Sequence, residues 1–124
     1  MFTHIMVGTN DVEKARAFYD NSLGALGVAN AAQGERLFYM HGGGAFGVGK
    51  PFDGGEACFA NGGTVGFQAQ SAEQVDAFHA AGIANGGSDE GAPGLRPNAP
   101  GKAYGAYLRD PDGNKICAFC QLQD

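Results

Sequence analysis

The stretch "HIMVGTNDVEKARAFYDNSLGALG" (residues 4–27) decides the fold because it recurs. Sixty residues on, "TVGFQAQSAEQVDAFHAAGIANGG" (64–87) repeats its form without a gap. Ile5 falls on Val65, Asp11 on Ser71, Glu13 on Glu73, Ala17-Phe18 on Ala77-Phe78, and Gly27 on Gly87. Each copy opens with a short apolar strand. A helix cap follows, Asn10 or Asp11 in one copy and Ser71 in the other. Such short side chains accept hydrogen bonds from the open N–H groups of a first helical turn. An amphipathic helix comes next, with Val12, Ala15, Phe18 and Tyr19 on one apolar face and Val75, Phe78 and Ala81 on its counterpart. Both helices run out into glycine.

Outward from these segments the chain reads as strands. "RLFYMH" and "GAFGVGK" flank Gly42-Gly43, a hairpin signal. "AYGAYLR" and "NKICAFC" flank "DPDG", where proline presets one turn position and glycine can take positive φ. "VANAAQGE" supplies a possible further strand in the first half. Its counterpart, "SDEGAPGLRPNAPGKAYG", is long, rich in Pro and Gly, and reads as a loop. The pattern predicts α+β architecture with βαβββ repeated twice, in modules 1–50 and 63–121 joined by a linker over 51–62. One module alone would expose an apolar sheet face, so two must cooperate or the chain must dimerise.

Composition narrows the function classes. Eight basic residues against thirteen acidic give a formal charge of −5, and the basic ones do not cluster. Nucleic acid and anionic membrane are therefore excluded as partners held by a basic patch. No apolar run reaches the length of a membrane span and no signal segment opens the chain, so a cytoplasmic location is expected. The 22 glycines are spread in pairs between apolar runs, which indicates tight turns. Three cysteines cannot form a complete disulfide set. Cys117 and Cys120 have C-x-x-C spacing, but in a strand residues three apart point to opposite faces, so small buried residues in a reducing compartment are expected.

The arrangement resembles the vicinal-oxygen-chelate superfamily of glyoxalase I, bleomycin-resistance proteins and extradiol dioxygenases. Three stretches carry the resemblance: "HIMVGTNDVEKARAFYDNSLGALG", "AEQVDAFHAAGIANGG" and "YLRDPDGNKI". The resemblance implies two modules whose curled sheets form a cleft. In metal-dependent members, it further implies one divalent ion held by His and Glu from the first and last strand of each module, acting as a Lewis acid on adjacent substrate oxygens. Transferred residue by residue, the ligand positions are His4, Phe46, Thr64 and Cys117. Phe46 comes from aligning "GAFGVG" with "KICAFC". One imidazole and one thiol fall short of the donors a zinc site needs. Glu56, in the linker, is a further candidate beside His4 and Cys117. No cofactor is therefore expected, with a divalent metal as the alternative.

On its strand His4 shares a face with Met6, while Ile5 and Val7 suit the helices better. His4 is thus expected in the cleft with Thr64, Gln68, Cys117 and Phe119, as a candidate general base. Arg96, Lys102 and Tyr104 fall on the long second-half loop, read as a binding lid whose arginine could hold a carboxylate or phosphate. Two functions follow from the resemblance. One is a glyoxalase-like enzyme, a lyase or relative acting on a small oxygenated substrate with an eroded metal site. The other is a metal-free ligand-binding protein of the bleomycin-resistance type. A small-molecule ligand and a homodimer are expected in either case.

Overall fold

Ladder pairing sorts the strands into two sheets. In a computed structural model, which describes residues 1–32 and 34–123, the elements are β1 (His4–Gly8), α1 (Val12–Ser22), a 3₁₀ turn (Gly24–Leu26), β2 (Leu37–His41), β3 (Gly44–Gly49), β4 (Val65–Gln68), α2 (Ala72–Ala84), β5 (Ser88–Leu95), β6 (Ala103–Arg109) and β7 (Lys115–Gln121). One sheet has the order β1-β3-β2, the other β4-β7-β6-β5. β1 runs parallel to β3 and β4 parallel to β7, and the remaining pairs are antiparallel. Neither sheet closes into a barrel. No helix among the described residues is long and apolar enough to cross a membrane.

The predicted caps form. Asp11 accepts from the N–H groups of Glu13 and Lys14, and Ser71 from that of Gln74. The Gly42-Gly43 turn takes φ of 61° and 85°, two positive angles that a tight hairpin needs and glycine supplies without strain.

Two expectations are corrected. "SDEGAPGL" is not loop. It forms β5, hydrogen-bonded to β6 through two register shifts, because ladder bonds come from backbone and need no alternating side chains. Only 96–102 remain as a turn. In the first half "VANAAQGE" gives a single bridge, Asn30 to Tyr39, in place of a strand; its Gln33 lies outside the described residues. Module one is therefore βαββ plus a bridge, and module two is βαβββ.

The inner faces of both sheets share one core. Phe18, Tyr19, Leu37, Tyr39, Phe46 and Val48 meet Val75, Phe78, Leu108, Ile116 and Ala118 there, all buried. Tyr19 ties the halves together at its polar end. Its hydroxyl donates to Asp110 Oδ2 at 2.6 Å, and Asn114 Nδ2 donates both to the same oxygen and to Gly8 O. The linker is also fastened, since Ala57 exchanges two hydrogen bonds with the Asn10 side chain.

Candidate functional site

Since the two sheets turn their inner faces to one core, alternation sends the other residues of each strand outward. On the first sheet the outer rows are His4–Ala45–Met40 and Met6–Gly47–Phe38. Met6 and Met40 are 41% and 61% exposed. A Cβ at Gly47 would meet Met6 Sδ at 2.2 Å and Phe38 Cε1 at 2.9 Å, so these two side chains lie across the glycine. His4 is exposed, and its Nδ1 lies 2.9 Å from Thr3 Oγ1. On the second sheet the outer rows are Gly66–Cys117–Tyr107–Gly91 and Gln68–Phe119–Gly105–Gly94.

The register revises one site residue. Ile5 pairs with Phe46 and Val65 pairs with Ile116. Phe46 therefore corresponds to Ile116, and the counterpart of Cys117 is Gly47. A shift of one residue changes the face. Phe46 is buried inward, with its ring 5.1 Å from Tyr19 and 5.0 Å from Phe67.

The remaining candidates divide between faces. Cys117, Phe119 and Gln68 stand on the outer face of the second sheet, and Thr64 immediately precedes β4, exposed. Arg96 reaches over that face from the end of β5. Lys102 is exposed in the turn between β5 and β6. Tyr104 faces the other way, its hydroxyl donating to Asp76 of α2 at 2.6 Å, a bond that raises its pKa. His4 belongs to the other sheet, so within one chain it does not share a face with Cys117 and Phe119. Cys120, three residues from Cys117, packs in the core, on the opposite face as alternation requires. His79 is tied to Asp89 at 2.8 Å, and Arg109 to Glu90 at 2.7 Å.

Two residues at the centre of the second outer face were not among the candidates. The Tyr107 ring lies under Lys115 Nζ at 5.0 Å and under the Arg96 guanidinium at 5.7 Å, and it meets the Phe119 ring edge-on at 5.6 Å. The signal for Lys115 was strand alternation from Cys117. Tyr107 needed the register across the DPDG turn.

Separately, an apolar cleft of about 470 Å³ opens between the sheets on the core side. Ile5, Leu26, Phe46, Val65, Phe67 and the predicted site residue Gln68 are among the residues that line it.

This fold has known relatives. The family model of the Glyoxalase/Bleomycin resistance protein/Dioxygenase superfamily matches residues 1–118. The chain is 57% identical to a glyoxalase/bleomycin resistance protein from Albidiferax ferrireducens, covering 96% of this chain and 98% of that one at a TM-score of 0.91. At the level of fold it also resembles a glyoxalase-related enzyme from Fulvimarina pelagi (20% identity, 96% and 86% covered, TM-score 0.76). Lactoylglutathione lyase from Agrobacterium tumefaciens is a similar case (21% identity, 96% and 92% covered, TM-score 0.66). None of the curated proteins compared with it matches significantly. The chain belongs to the glyoxalase/bleomycin-resistance/dioxygenase superfamily.

The donor chemistry does not suit the divalent ion that this family implies. By register its positions are His4, Gly47, Thr64 and Cys117. Gly47 offers no donor, and its space is taken by Met6 and Phe38. Thr64 offers a hydroxyl. Burial pushes the Cys117 thiol up to about 11, so it would become a ligand only as the thiolate that an adjacent cation would generate, and it supplies one donor at most. Glu56 does not complete the set within one chain. Its neighbour Ala57 packs against Gly8, roughly 13 Å along β1 from His4 at about 3.3 Å per residue. Among the described residues no three His, Cys, Asp or Glu side chains gather.

Proposed function

We propose that this chain is a small-molecule-binding protein of the bleomycin-resistance type that works as a homodimer. The observation that carries the reading is the pair of outward faces. Exposed Met6 and Met40 with half-buried Phe38 on one sheet, and half-buried Tyr107 and Phe119 on the other, form apolar and aromatic surfaces, the second overlain by Lys115 and Arg96. Large exposed apolar patches rimmed by polar groups mark binding sites. A second copy related by a twofold axis would set the His4 face of one chain opposite the Tyr107 face of the other and enclose two equivalent clefts. Phe2, 67% exposed beside these strands, would be covered as well.

The enzymatic reading rests on His4. Its ring is exposed and hydrogen-bonded through Nδ1 to Thr3 Oγ1, so a substrate proton could reach Nε2 for general-base transfer. It would need no metal. Two measurements separate these readings. Sedimentation is expected to give a species of twice 12.7 kDa. Lactoylglutathione lyase activity, for which the Agrobacterium relative is named, is expected to be absent with or without added zinc or nickel. Turnover abolished by His4→Ala would replace the binding reading with the enzymatic one.

A further inference from the structure

We infer that the outer face of the second sheet takes a planar aromatic carboxylate, bound with its ring against Tyr107 and Phe119 and its charge between Arg96 and Lys115. The inference rests on the binding reading above and names the ligand class.

Charge carries it first. In a chain of net charge −5, two cations converge on one ring. Lys115 makes no hydrogen bond or ion pair among the described residues. The Arg96 Nη atoms donate to Gly94 O at 3.1 Å and Ala92 O at 2.7 Å, both neutral acceptors, which fix the guanidinium and leave its charge uncompensated by a direct partner. The acids of β5 hold other direct partners, and Asp89 in addition feels the Arg96 charge. Asp89 Oδ1 accepts from the Gly91 N–H and bonds His79 Nε2, and Glu90 pairs with Arg109. Both cations lie over the one ring, so a carboxylate placed beside that ring is attracted by each. Guanidinium and ammonium bonds to a carboxylate are the stronger, charge-assisted kind.

Shape supplies the second part. A Cβ at Gly105 would lie 2.4 Å from Phe119 ring carbons, so the missing side chain lets that ring lie down over β6. A Cβ at Gly91 would stand 3.1 Å from Arg96 Nη2 and 3.2 Å from Tyr107 Cδ2, so this glycine lets the guanidinium approach the ring. The result is a low aromatic floor with two positive charges against it. A flat, conjugated acid fits it. The half-buried setting strengthens the charge contacts relative to bulk water.

The test uses calorimetric titration of the full-length protein with 2-naphthoate, with its neutral isostere 2-naphthamide, and with inorganic phosphate. Naphthoate is expected to bind at least about tenfold more tightly than the amide, since charge-assisted bonds contribute about that much. Phosphate alone is expected to bind weakly because it leaves the aromatic floor empty. Lys115→Gln and Arg96→Gln should each weaken naphthoate binding more than amide binding and so erase most of the preference, and Lys115→Arg should keep it. Thermal melts of each variant check folding. Equal binding of acid and amide overturns the ligand class while leaving the binding reading intact. Phosphate binding as tightly as naphthoate, or a preference surviving in the double variant, also overturns it. If neither aromatic binds, both the ligand class and the binding reading fall.

Discussion

Tyr19 shows how a single polar atom couples the halves of the chain. Its ring is wholly buried among Phe18, Tyr39 and Phe46, and its hydroxyl reaches Asp110, 91 residues away. Burial raises the Asp110 pKa, while the bonds from Tyr19 and Asn114 act the other way. Burial and the Asp110 charge raise the tyrosine pKa. Tyr19→Phe removes a donor from a buried carboxylate and should cost about 1–3 kcal/mol at pH 7. The bond favours the ionised carboxyl, so its loss raises the folded pKa of Asp110 further. The folded state then holds the proton over a wider range, and the loss of stability is larger at neutral pH than below the ordinary carboxylate range. Urea unfolding at pH 7 and pH 3 checks this, and equal losses at both would contradict the assignment. Tyr19 reads from sequence as one more residue of an apolar helix face. Its partner becomes visible only in three dimensions, because local periodicity says nothing about what a side-chain tip meets.

The elements divide by how local their causes are. Both helices were legible, with cap, face and exit all within two dozen residues. Asp11→Ala should cost about 1 kcal/mol, measured by denaturant unfolding, since two N–H groups of α1 lose their acceptor. β5 was not legible. Its glycines and Pro93 carry no alternation, and it exists because β6 offers a ladder. Edge strands tolerate proline where the missing N–H faces away from the partner. β3 was legible as a strand but not in register, and that single-residue step moved Phe46 from the expected ligand face to the core face. Gly105→Ala tests the packing on the second sheet. The new methyl must displace the Phe119 ring, and an overpacked site of this kind costs about 1–3 kcal/mol. A melting temperature unchanged from the parent chain would show that the ring has room to lift.

At the scale of the whole molecule the decisive feature is that two sheets share one core and turn their other faces away from it. The proposed homodimer makes a direct prediction. Met40 is exposed and outside the core, so Met40→Glu should leave the fold of the single chain intact while placing a charge in the contact. Sedimentation of this variant is expected to shift toward 12.7 kDa at concentrations where the parent chain is dimeric, with an unchanged circular dichroism spectrum. A variant that stays dimeric would move the contact to another face.

The sequence by itself determined the α+β class, the internal repeat, the helix caps, the hairpin turns and the inward placement of Ile5 and Val7. All of these follow from short-range rules of spacing, capping and turn chemistry. It also determined that Cys117 and Cys120 part company across a strand. Only the tertiary structure decided that Phe46 is core, that the Gly-Pro segment is β5, and that Arg96 and Lys115 each lie over Tyr107. Each of those depends on strand register, which is set by long-range pairing between segments that carry no mark of one another in the chain.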